Sequence, residues 1–192
     1  MKTKRAIPAV LFTFKPAEKP IKMKRFLLIS LIFLRFITIC SSQVPARWSA
    51  WDWIAGSWAG EGGGQPGQGS GTFSFSFDLD SNILVRKSHS EYPASAGKQE
   101  VIHDDLMIIY IDPGEVPFKA VYFDNEGHTI FYSVTFRENT IILTSEKTVN
   151  APIFRLIYER IDNETVNTRF EMSQDGVKFM PYVEGESKRK KG

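Results

Sequence analysis

One cysteine, Cys40, and three histidines are all that this chain of 192 residues offers as thiol or imidazole ligands. A single cysteine cannot form an internal disulfide, and a zinc site built on cysteines is excluded with it. His89, His103 and His128 are too widely spaced for a compact metal motif. A metal would bind only if the fold brought them together with Asp104, Asp105 or Asp124, and none is expected. No Gly-x-Ser-x-Gly elbow occurs, and Ser57 stands where a strand is expected to begin. The run GGGQPGQGSG (residues 62–71) lacks the lysine and the following helix of a phosphate loop, so it reads as a flexible hairpin tip. Asp104 and Asp105 are sequence neighbours; in a strand they point to opposite faces and cannot act together on one substrate. No catalytic residues are assigned, and the chain reads as a binder more than as an enzyme.

Charge of one sign is scarce on the body of the chain. The net charge is +2, and the positive residues gather at the ends, in MKTKR, KPAEKPIKMKR and the closing SKRKKG. A nucleic-acid partner calls for a basic stripe on the folded domain itself, so none is expected. Long hydrophobic runs are missing too. FLLISLIFL (residues 26–34) is broken by Arg35 before FITIC, short of the roughly 20 apolar residues that a membrane helix needs. Preceded by Lys22, Lys24 and Arg25 and followed by SSQ, the stretch reads as a secretory signal whose translation starts at Met23. Left uncleaved, or lipidated at Cys40, the same segment would tie the protein to a membrane. Ile39, however, stands where a bacterial lipoprotein site has a small residue. The expected location is secreted, or periplasmic within the cell envelope. The expected organisation is a targeting segment over 1–43, one domain over 44–187 and a basic tail over 188–192.

What is present is aromatic. Residues Phe, Trp and Tyr make up 13% of the chain, with 15 phenylalanines, a load that favours strands. Trp48, Trp51 and Ile54 recur at helical spacing and predict a short helix that Gly56 ends. The period then drops to two. In residues 72–77, Phe73, Phe75 and Phe77 alternate with Ser74 and Ser76, as in a strand with one buried face. Further strands are predicted over 83–92, 102–111, 118–123, 128–136, 140–147, 153–161, 165–173 and 177–184, each bounded by turn residues. With a first strand at 58–63 this makes about ten, joined by short loops that force antiparallel neighbours. So many meandering strands are expected to close, because a closed barrel leaves no edge. The predicted fold class is all-β, a closed antiparallel up-and-down barrel with a short N-terminal helix. Both faces of several strands are apolar, so parity alone does not say which residues face inward.

The opening GSWAGEG (residues 56–62) resembles the GxWxGxG start of lipocalin-like, or calycin, barrels. Its GEG version, with about ten strands and no disulfide, looks most like nitrobindin-like barrels and related bacterial domains of unknown function, and HDDLMIIY, AVYFDNEGHTIFYSV, FRLIYE and FEMSQDGVKF resemble those bacterial domains best. The resemblance implies that Trp58 closes the barrel floor against the last strand. It also implies a haem held by a histidine near the C-terminus; here VKFMPYVEGE has no histidine, and Tyr182 and Glu184 occupy the region. No cofactor is expected on the residues themselves, and haem is kept as an alternative, since tyrosine can ligate ferric haem.

Arg86, Arg155 and Arg169 lie in strand-like runs. An inward arginine needs a carboxylate, of the protein or of a ligand; otherwise these face solvent on the outer wall. The favoured function is binding of a small, mostly apolar or amphipathic molecule within the barrel. Its candidate lining is Trp58, Phe75, Arg86, Tyr110, Tyr122, Tyr132, Arg155, Tyr158, Phe170 and Tyr182. Two alternatives remain: a haem protein with redox or isomerase chemistry, and an envelope structural module whose barrel is filled by its own side chains.

Overall fold

Alternating strands separated by tight turns leave the chain one economical arrangement, and the computed structural model shows it. The structure describes residues 46–60, 69–94, 97, 99–113, 117–149 and 151–191. The signal-like segment, Cys40 and residues 62–68 of the glycine run lie outside the described residues. A 3₁₀ turn, Ala46–Trp51, precedes β1 (Gly56–Gly60), β2 (Ser70–Asp78), β3 (Ile83–Tyr92), β4 (Val101–Ile111) and β5 (Phe118–Asp124). Then follow β6 (Thr129–Arg137), β7 (Thr140–Ser145), β8 (Ile153–Arg160), β9 (Thr165–Ser173) and β10 (Met180–Arg189). Every strand pairs antiparallel with its sequence neighbours, and β10 returns to pair with β1, so the ten strands form a closed up-and-down barrel.

One end of the barrel is plugged by aromatics. A 3₁₀ turn eclipses residues three apart, which sets Trp48 and Trp51 on the same side, and both are fully buried. Trp48 packs against Phe77 and Phe118 at ring-centroid distances of 5.6 and 5.3 Å, and Trp51 meets Phe136 edge-on at 5.5 Å. Such pairs each contribute about 0.5–1.5 kcal/mol beyond the area they bury. The plug is pinned to the β2–β3 turn, where Ser81 O accepts hydrogen bonds from Trp48 Nε1 at 2.7 Å and Arg47 Nη2 at 2.8 Å. That turn holds Leu79, Asp80 and Ser81 at φ of 49°, 54° and 61°. Three successive non-glycine residues in the left-handed region cost about 1–2 kcal/mol each, a strain that persists only where neighbours over-determine it. Asp78 Oδ1 accepts from Leu79 N at 2.6 Å, Asn82 Nδ2 donates to Leu79 O at 2.6 Å, and Arg47 Nη2 donates to Asn82 Oδ1 at 3.0 Å.

The last strand departs most from the sequence expectation. Residues 174–179 are not strand, because Asp175 Oδ1 accepts from the N–H groups of Val177 and Lys178, both at 2.8 Å, and curls the chain into a loop. At its other end β10 takes in Lys188 and Arg189, the first residues of what reads as a basic tail. The Arg189 guanidinium lies 4.2 Å above the Trp58 ring and donates to Ala55 O at 2.7 Å and Trp53 O at 2.5 Å. Its partner strand is close. A Cβ on Gly60 would stand 2.8 Å from Ser187 Oγ and 3.0 Å from Glu186 O, so glycine there is what lets β1 and β10 meet.

Candidate functional site

The register fixes which face is inward. Phe75 pairs with Arg86, Arg86 with Met107 and Met107 with Tyr122, so these four share one face. The same alternation carries Ser88, Asp105 and Asp124 inward one level up, and Ser90 with His103 above them. On the opposite wall Tyr158 and Thr168 are partners on β8 and β9, and both face inward.

Arg86 and Asp105 form a buried ion pair, with side-chain exposures of 7% and 6%. Above it, His103 Nε2 lies 2.9 Å from the Tyr122 hydroxyl and 3.8 Å from Asp105 Oδ2, and His103 Nδ1 lies 3.0 Å from Glu126 Oε1. The Tyr122 hydroxyl donates to Asp124 Oδ2 at 3.2 Å. Asp124 is also gripped by the turn after it, through the N–H groups of Glu126 and His128 at 3.0 and 2.8 Å and the His128 ring at 2.8 Å. Burial pushes the Asp105 carboxyl above the usual carboxylate range, against the pull of Arg86 and His103. The guanidinium keeps its charge throughout, so the pair titrates through Asp105. Burial likewise raises Tyr122, Tyr132 and Tyr158, whose hydroxyls therefore stay protonated and able to donate.

Three inward polar atoms lack partners: Arg86 Nε, the Tyr158 hydroxyl and Thr168 Oγ1. The guanidinium carbon lies 5.8 Å from the Phe73 ring centroid and 5.9 Å from that of Tyr158. The Tyr158 hydroxyl is near the guanidinium, but the approach does not meet hydrogen-bond geometry. Buried polar groups are paired in all but a small fraction of cases, so three inward atoms without partners, on β3, β8 and β9, are unusual. Trp51 Nε1, Arg155 Nε and Arg169 Nε also lack a hydrogen bond, Arg169 Nε lying 3.7 Å from Glu171 Oε1, and they belong to the plug and the outer wall.

Of the residues expected to line a site, Trp58, Phe75, Arg86, Tyr122, Tyr132, Tyr158 and Phe170 face inward. Tyr110 and Arg155 do not. Tyr110 sits between Ile83 and Lys119 on the outer face, opposite in parity to buried Ile109. Arg155 alternates with inward Phe154 and Leu156, and its guanidinium stacks on the Phe179 ring at 3.5 Å outside the barrel. Tyr182 stands at the β10 irregularity, at the end of the barrel away from the plug, 75% exposed, edge-on to Phe170 at 6.2 Å. Sequence reasoning left out His103, Asp105, Asp124 and Thr168 as lining residues. The signal was there: once Phe73, Phe75 and Phe77 are set inward, antiparallel register carries the parity to Asp105 and beyond.

These residues do not fit a haem inside the barrel. β10 offers no inward histidine, Tyr182 is on the rim, and both ring nitrogens of His103 are engaged. Among the described residues, no three His, Cys, Asp or Glu side chains are grouped to hold a metal ion. A broad open depression of about 650 Å³ lies across β1 to β5, lined mainly by outward side chains such as Thr72, Lys87, His89 and Asp104. Inward Trp58, Phe73, Ser88, Asp105 and Asp124 line it as well, whereas Arg86, Tyr158 and Thr168 do not.

No family model matches the chain, and no curated protein matches it in sequence. Among solved structures, the crystal structure of Rv2717c from M. tuberculosis is similar, with a TM-score of 0.51 and 13% identity. The match covers 77% of this chain and 99% of that one. The likeness is one of fold. It supports the barrel and leaves the site to be argued from its own residues.

Proposed function

We propose that the protein binds a small, mostly apolar molecule in the open half of its barrel, without catalysis. The observation that carries this reading is the inward cluster of Arg86, Tyr158 and Thr168 with polar atoms left unpartnered. An unmet buried donor costs about 1–3 kcal/mol, and a ligand oxygen entering the barrel would supply the missing partner. Half-buried Phe154 and Phe170, stacked at 5.5 Å on the inner wall, offer an apolar path from the rim towards it. The signal-like N-terminal segment supports a secreted or envelope location for this binding. The test is native mass spectrometry of protein purified from its own host. A small adduct that is lost on solvent extraction is the expected result. No adduct, together with no uptake of the apolar fluorophore N-phenylnaphthylamine, would refute the reading. That outcome would favour a structural barrel filled by its own side chains, an alternative suggested by how completely Tyr132 and Tyr158 are buried.

A further inference from the structure

We infer that the ligand presents an uncharged carbonyl oxygen to this cluster, as a long-chain ketone, aldehyde or ester does, and not a carboxylate. The inference rests on the binding function proposed above and concerns the head group alone. Arg86 would be the obvious anchor for an anion, but its charge is already matched by Asp105 inside the barrel. A second inward carboxylate, Asp124, is equally buried, with 4% side-chain exposure, and its ring partner His128 is on the exposed rim. Around Arg86 the interior therefore holds two carboxylates to one guanidinium, Asp124 being paired also with rim His128, and the other titratable neighbours are His103 and the protonated hydroxyls of Tyr122, Tyr132 and Tyr158. An incoming carboxylate would have to displace Asp105 or be buried beside like charges, and like-charge burial is strongly unfavourable.

What the wall has left over is hydrogen-bond donors. Arg86 Nε–H can only donate. The Tyr158 hydroxyl keeps its proton, and Thr168 Oγ1 lies on the neighbouring strand at the position paired with Tyr158. A carbonyl oxygen has two lone pairs and no charge to desolvate, so it can accept from two of these three donors. The alkyl body then extends along Phe73, Phe154 and Phe170 towards the rim. A hydrocarbon without the oxygen would fill the same space and leave the donors unmet.

The test is displacement of N-phenylnaphthylamine near neutral pH by three ligands of similar length: methyl undecyl ketone, dodecanoate and dodecane. The ketone is expected to bind about tenfold or more tightly than dodecane, as one to two neutral hydrogen bonds allow, and tighter still relative to dodecanoate. Tyr158→Phe and Thr168→Val should each remove several-fold of the ketone's advantage while leaving dodecane unchanged. Near-ultraviolet circular dichroism would verify that both variants fold. Dodecanoate binding as tightly as the ketone would overturn the inference, and so would equal binding of all three, although apolar binding would then stand. If none of the three enters the barrel, the binding function itself falls.

Discussion

The Arg86–Asp105 pair gives the sharpest stability prediction, because its two ends differ in what they can do when left alone. Both side chains are almost wholly out of water, so the weak-interaction regime of surface ion pairs does not apply. Removing one partner of a buried pair costs about 3–5 kcal/mol, whereas replacing both with apolar groups is often neutral. Asp105→Leu strands a guanidinium that cannot shed its proton; its cost should lie near the top of that range, about 4–5 kcal/mol. Arg86→Met strands a carboxyl that can protonate and that has His103 3.8 Å away, so its cost should lie nearer about 3 kcal/mol.

The pH dependence separates the two variants. With Arg86 gone, Asp105 loses the partner that lowers its pKa, and its folded value rises further above the ordinary 3.8. A carboxyl raised in the folded state leaves stability intact below its unfolded pKa and removes it as pH rises through the folded one. The Arg86→Met penalty should thus shrink towards acid, and the Asp105→Leu penalty should not. Urea unfolding followed by tryptophan fluorescence suits the measurement, since all four tryptophans lie between Trp48 and Trp58. The double variant Arg86→Met/Asp105→Leu should fall within about 1 kcal/mol of the parent protein. Singles costing under about 1 kcal/mol, or a double equal to their sum, would show that water reaches the pair.

Two further measurements probe the ends of the barrel. Arg189→Met removes a ring contact with Trp58 and hydrogen bonds to Trp53 O and Ala55 O; it should cost about 2–3 kcal/mol in urea unfolding, and an unchanged midpoint would show that β1–β10 closure does not depend on it. At the open rim, the hydrogen bond and charge of Asp124 raise His128 above the ordinary 6.5. That contribution is present below the ordinary value and lost as pH rises through the folded one. Burial works to raise Asp124, but the His128 backbone and ring hold it below 3.8, so its share is lost only as pH falls through that lower value. A proton NMR titration should find His128 elevated and Asp124→Asn should return it towards 6.5; no change on substitution would refute the contact.

The barrel was legible because its two signals are local. Phe73, Phe75 and Phe77 alternate with serine, and turn residues such as those at 125–127 separate each run, so strand number and antiparallel order follow from the chain itself. The end of β10 was not legible, since Lys188 and Arg189 look like solvated charge until Trp58 offers a ring for the arginine to lie on. Nor was the start, where Asp175 takes the N–H groups that a strand would have used. The site was half legible. Tyr110 and Arg155 have the right chemistry on the wrong face, and a one-residue change of parity separates them from Ile109 and Leu156.

The two halves of the interior are built for different ends. Towards the plug, Trp48, Trp51, Phe77, Phe118 and Phe136 form a ring cluster held by edge-on and tilted contacts, with Trp51 Nε1 its one unpartnered polar atom. Towards the other end the interior turns polar and leaves Arg86, Tyr158 and Thr168 incompletely paired, at about 1–3 kcal/mol for each unmet group. Phenylalanine at position 158 and valine at position 168 would avoid much of that cost with little change of shape. A wall that served only to fill the barrel would gain stability from those residues. Their polar counterparts therefore point to a function outside the folding of the empty barrel, and the aromatic plug is what allows the fold to tolerate them.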